Sequence, residues 1–188
     1  LNPAVDKTCT LSRLLPGQVN RMESIKNIPG GKGVNVAKVL RRYGYQVKAL
    51  GFLGGYTGQM IEDGVKDIGA ISLFTRVAGE TRYSINLLSG DGYVTELLEP
   101  GPRISARELA RFREDFGRGI ADCDLVILSG SAPEQVPETI YAELIREAAG
   151  QGKKTLLDSS GALLGKGLDA GPFMIKPNLK ELELLTGR

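Results

Sequence analysis

The chain has 188 residues, 41% of them hydrophobic, which is enough for one substantial domain. With 24 basic and 22 acidic residues the net charge is +2, and no basic block interleaved with aromatics appears, so nothing points to nucleic acid. Histidine is absent, which excludes Ser-His-Asp and Cys-His devices and His-ligated metals and leaves carboxylates, lysines, arginines and backbone amides to do any chemistry.

The chain opens on a Leu1-Asn2-Pro3 turn. Asp6 then sits where a first strand would just have ended, free to accept hydrogen bonds from hydroxyls or to cap a turn. Residues 33–43 carry Val36, Val39, Leu40 and Tyr43 at helical spacing, with Gly44 as a stop. Val47 to Phe52 reads as one buried strand, followed by a Gly-rich loop and a helix to about Ile68. Thr81–Leu88 and Tyr93–Leu98 flank Ser89-Gly90-Asp91-Gly92 as a hairpin. Ser105 and Glu108 form a capping box that starts a helix to about Gly119. Strand 125–128, helix 138–149, strand 154–157, a short helix 161–168, strand 173–176 and helix 178–186 follow. This alternation predicts an α/β fold with a mostly parallel sheet flanked by helices. The hairpin region, with segments at about 11–28 and 71–98, is expected to form a small separate β-sheet.

The densest signal is Gly30-Gly31-Lys32-Gly33-Val34-Asn35, which leads into the first helix. Glycines allow close backbone approach, and a helix start presents free N–H groups and a positive dipole end, so the loop reads as an anion site. It is not a P-loop, because Lys32 is followed by Gly33. The dinucleotide fingerprint fails at Val36, which argues against an oxidoreductase. The plain alternative is a turn before a helix with Lys32 solvated.

Strand-end loops in open α/β sheets gather ligands. Here these are Phe52-Leu53-Gly54-Gly55, Ser129-Gly130-Ser131, Asp158-Ser159-Ser160-Gly161 and Lys176-Pro177-Asn178. Arg82 has the fork that suits phosphate, though an exposed strand-end charge explains it as well. Asn178 and Glu181 at i, i+3 form a helix cap, and beside Lys176 they also suit a hydrated Mg²⁺ and nucleotide phosphates. Cys9 and Cys123 form no C-x-x-C pair and read as thiols of a reduced, cytoplasmic protein. The apolar runs are strand-sized, so no membrane span is expected.

Leu-Asn-Pro-Ala-Val-Asp, Gly-Gly-Lys-Gly-Val-Asn-Val-Ala, Gly-Phe-Leu-Gly-Gly, Gly-Glu-Thr-Arg, Ser-Gly-Ser-Ala-Pro and Lys-Pro-Asn-x-x-Glu-Leu occur in that order. This set resembles the 1-phosphofructokinase and tagatose-6-phosphate kinase group of the ribokinase-like (PfkB) sugar kinases. The one small departure is Ala132, where the family usually has Leu or Ile. The resemblance implies a ribokinase-like fold with a β-sheet lid, homodimers through the lid, and ATP-dependent phosphorylation of fructose 1-phosphate to fructose 1,6-bisphosphate. It implies that Asp6, Gly30, Gly31, Lys32, Asn35, Arg82, Ser129 and Ser131 face the phospho-sugar. Lys176, Asn178 and Glu181 would serve ATP and Mg²⁺, with Glu181 acting on the metal through water. It further implies that the chain is an N-terminal fragment whose catalytic Asp lies beyond Arg188, so that residues 1–188 alone would not turn over. Tagatose 6-phosphate and fructose 6-phosphate are the competing acceptors, and a non-catalytic phospho-sugar binding module is the reading from another class.

Overall fold

A computed structural model describes residues 1–187. Two groups of strands organise it. The first is a four-stranded sheet, ordered β2-β1-β7-β8, built from β1 (Ala4–Leu11), β2 (Ser24–Gly30), β7 (Tyr83–Ser89) and β8 (Val94–Leu98). β1 runs antiparallel to β2 and parallel to β7, and β7–β8 is the expected hairpin. The second group is parallel. It comprises the sheet β11-β10-β9, from β9 (Leu125–Ser129), β10 (Lys154–Asp158) and β11 (Met174–Ile175), and two short pairs. In these pairs β3 (Lys48–Ala49) meets β5 (Ile71–Ser72), and β4 (Phe52–Leu53) meets β6 (Thr75–Arg76).

Three expectations are corrected here. Residues 71–76 pair with β3 and β4 in the parallel body, so the antiparallel sheet resumes only at Tyr83. One of the two inner strands of that sheet is β1, which lies almost wholly before the expected segments. Having partners on both sides keeps β1 extended through the polar run Asp6-Lys7-Thr8, so Asp6 sits inside a strand, opposite Ile28 and Ser84. The predicted strand 47–52 breaks in two, because Gly51 takes φ 154° and brings its backbone close to Leu1.

The described residues form six helices: α1 (Lys32–Arg42), α2 (Gly55–Asp67), α3 (Ala106–Gly119), α4 (Ile140–Gly150), α5 (Gly161–Leu168) and α6 (Leu179–Thr186). The larger core joins Phe52, Phe112, Phe116, Tyr141, Leu144 and Leu157, so it binds α3 and α4 to β4 and β10. A smaller core joins Val5 of β1 to Val34 of α1 and to Ile61 and Val65 of α2. Each such side chain contributes roughly 1.5–3 kcal/mol when fully buried. The root of the antiparallel sheet is thereby seated on the two helices that follow the Gly-rich loops.

Candidate functional site

α1 starts at Lys32 because Gly31, with φ 90°, turns the chain out of β2. A Cβ at Gly31 would press on Pro3 Cα at 3.1 Å. Gly30 does something different. A Cβ there would lie 2.0 Å from Oδ2 of Asp6, so the glycine is the seat of that carboxylate.

Asp6 is the centre of a first cluster. Burial raises its pKa above 3.8, opposed by Lys38, the Gly31 amide, Arg82 and the Asn35 side chain. Lys38 donates to Asn35 Oδ1 at 3.2 Å and to the Pro29 carbonyl. Arg82 is half-buried rather than a solvated strand end: its guanidinium donates to the carbonyls of Asn2 at 3.4 Å and Glu99 at 3.2 Å. The preceding residues explain how it is held. Glu80 Oε1 accepts from the Thr57 amide and hydroxyl at 2.7 and 2.6 Å, capping α2, and the Thr81 hydroxyl accepts from the Gly54 amide at 2.9 Å. Gly-Glu-Thr thus locks the chain onto α2 and delivers Arg82 beside Asp6.

A second cluster lies at the ends of β9, β10 and β11. Lys32 Nζ is 3.2 Å from Asp158 Oδ1, and Lys176 Nζ is 3.3 Å from Asp158 Oδ2. The single Tyr141 hydroxyl proton is shared between the carbonyls of Ser129 at 2.8 Å and Gly130 at 3.1 Å, and the Ser159 hydroxyl donates to Gly130 at 2.9 Å. Ser129 is buried with its Oγ facing Gly33, and Ser131 accepts from the Asn2 amide at 3.3 Å.

Gly31, Lys32, Arg82, Ser129 and Ser131 line one cleft of about 930 Å³. Asp6, Gly30 and Asn35 do not line it; they stay together in the first cluster, around the Asp6 carboxylate. Asn178 and Glu181 are spent on each other: Asn178 Oδ1 accepts from the Glu181 amide at 2.9 Å, and Glu181 Oε2 accepts from the Asn178 amide at 2.8 Å. Among the described residues no three His, Cys, Asp or Glu side chains converge on a metal position. Glu181 spends one carboxylate oxygen on its cap with Asn178, so a magnesium ion, which keeps several waters and takes few protein ligands, would have to meet the other.

Sequence reasoning missed Lys38, and it named Asp158 only as part of a strand-end loop, with no role of its own. Lys38 carried a weak signal, since its i+3 spacing from Asn35 put both on one face of α1. Asp158 carried only its place at a strand end.

The pattern described as "pfkB family carbohydrate kinase" matches residues 1–188. The chain belongs to that family. As a PfkB protein it shares 27% identity with Escherichia coli phosphofructokinase-2, a protein solved with fructose-6-phosphate and in a tetrameric inhibited form. The fructose-6-phosphate complex superposes with a TM-score of 0.92, over 100% of this chain and 62% of that one. A possible 1-phosphofructokinase from Thermotoga maritima is 29% identical, with a TM-score of 0.87 over 96% of this chain and 59% of that one. Ribokinase from Arabidopsis thaliana, at 21% identity and a TM-score of 0.71, supports the ribokinase-like fold alone; the match takes in 99% of this chain and 61% of that one. This PfkB chain therefore spans about three fifths of the length of the solved proteins it matches.

Proposed function

We propose that this chain carries the acceptor side of an ATP-dependent phospho-sugar kinase, with fructose 1-phosphate as the preferred acceptor. The observation that carries the reading is the convergence of a Gly-Lys helix start, a half-buried arginine and two strand-end serines on one cleft. Lys32 and Arg82 would hold the phosphate already on the sugar, because both offer full positive charge and Arg82 a planar fork. Asp6 and Asn35 would take sugar hydroxyls, and Ser129 and Ser131 would line the same pocket. Lys176 and Asn178 would meet the nucleotide, and Glu181 a hydrated Mg²⁺. Such a site works by positioning and by stabilising charge on the transferred group. Because residues 1–188 span about three fifths of the solved proteins they match, the assay uses the full-length protein.

The second reading is phosphorylation of fructose 6-phosphate, favoured by the fructose-6-phosphate complex of the 27% identical E. coli protein. Initial rates of the full-length protein with ATP and fructose 1-phosphate, fructose 6-phosphate or tagatose 6-phosphate decide between them. A kcat/KM at least tenfold higher for fructose 1-phosphate supports the first reading. Binding of all three sugars without turnover would instead make the protein a phospho-sugar binding module. The reading also takes the protein as cytoplasmic, with two free thiols at Cys9 and Cys123, and as a homodimer through the antiparallel sheet. That sheet exposes Ile25, Ile28, Leu97 and Leu98, and light scattering of the full-length protein tests the dimer.

A further inference from the structure

We propose that Asp158 is a positioning residue, which ties the acceptor loop and the nucleotide-side loop to one carboxylate. The inference rests on the kinase reading above and assigns a role to a residue that reading does not use.

Asp158 is the last residue of β10. Its side chain is only 12% exposed, whereas those of Lys32 and Lys176 are 50% and 66% exposed. Each oxygen takes one lysine, Oδ1 from the start of α1 and Oδ2 from the end of β11. Its own backbone is fixed, because the Asp158 carbonyl accepts from the Gly130 amide at 2.9 Å. The carboxylate is therefore the immobile member and the two ammonium groups are the mobile ones.

Exposed lysine ion pairs add little to stability, and burying a carboxylate is costly. A buried acid that serves two half-exposed lysines, one of them lining the cleft, is a poor stabilising device but a good alignment device. An ammonium has three donors. One directed at Asp158 leaves two on each lysine for phosphate oxygens, and the shared anchor fixes where those donors point. Lys32 lines the cleft that Arg82 also lines. Lys176 immediately precedes the Pro177-Asn178 start of α6. Asp158 thus links a group that would hold the acceptor phosphate to one that would hold the nucleotide.

The test is steady-state kinetics of the full-length enzyme with fructose 1-phosphate and ATP. Asp158→Asn should raise both KM values about tenfold, with a smaller fall in kcat. In a Lys32→Met background the same change should no longer affect the sugar KM, and in a Lys176→Met background it should no longer affect the ATP KM. Asp158→Glu, which restores the charge on a longer arm, should recover most of both. A residue that only supports the fold would give losses that add in every background. Additive losses, unchanged KM values, or no recovery with Glu each overturn the proposal. Asp158→Ser serves the same comparison if the Asn variant fails to fold. Calorimetric titration of the wild type with each substrate separates the two claims. Absence of binding there refutes the kinase reading and this role with it, whereas binding together with additive losses refutes this role alone.

Discussion

Tyr141→Phe isolates the lock that holds the loop after β9. The Tyr141 ring is 1% exposed and belongs to the larger core, so Phe keeps the packing and removes only the hydroxyl. Burial, with the Asp158 charge adding to it, pushes the phenol pKa well above its usual value, so the group remains a donor at any working pH. Its one proton is shared between the Ser129 and Gly130 carbonyls, and Gly130 keeps the Ser159 hydroxyl when Tyr141 is gone. The loss is therefore one shared hydrogen bond, and it falls mainly on the nearer acceptor, the Ser129 carbonyl. Leaving that acceptor without this donor costs about 2 kcal/mol, or roughly 4–8 °C in Tm for a chain of this size. Circular-dichroism melts of both forms read the stability. Titration of the full-length protein with fructose 1-phosphate should also show weaker binding, because Ser129 and Ser131 sit on the loosened loop. A variant with wild-type Tm and wild-type affinity would refute the assignment of Tyr141 as the lock.

A Cβ at Gly54 would lie 1.9 Å from the Gly79 carbonyl oxygen, so Gly54→Ala should destabilise by more than about 3 kcal/mol, read as a collapse of the urea midpoint. Arg82→Lys should weaken phospho-sugar binding by roughly 10–100-fold, since a point charge does not replace the planar fork; calorimetry that finds equal affinity counts against a phosphate role. Asp6 sets a pH dependence. Its folded pKa is raised above 3.8, chiefly by burial, so its contribution is fully present below 3.8 and is lost as pH rises through the folded value. Asp6→Asn removes that loss, so the variant should gain on wild type as pH rises above 3.8 in urea titrations. Glu80 has the opposite sign. The Thr57 hydroxyl leads in holding its pKa below 4.5, so its contribution is present above 4.5 and is lost on acidification, and Glu80→Gln should flatten that arm.

Locally coded features were readable from the chain. The Ser105–Glu108 capping box forms with both arms, and α5 spans Gly161–Leu168 as expected, because caps and helical spacing act over a few residues. Features that depend on distant partners were not. Asp6-Lys7-Thr8 looks like a turn until β2 and β7 flank it. The break at Gly51 follows from its close approach to Leu1, which no propensity encodes. At the site, Lys32 and Arg82 announced themselves by residue type. Asp158 did not, since its meaning comes from lysines 126 residues before it and 18 after it in the chain.

Gly30 and Gly55 carry a consequence for sequence variation. Each is occupied at the Cβ position by an acid from elsewhere in the chain, Asp6 at 2.0 Å and Glu80 at 1.7 Å. Part of what marks these stretches as ligand loops is room made for the protein's own carboxylates. Glycine and acid then behave as one inherited unit. A lineage that loses Asp6 is released from keeping Gly30, and among such homologues the two columns should vary together, while Gly31, whose constraint is its own backbone angle, stays fixed.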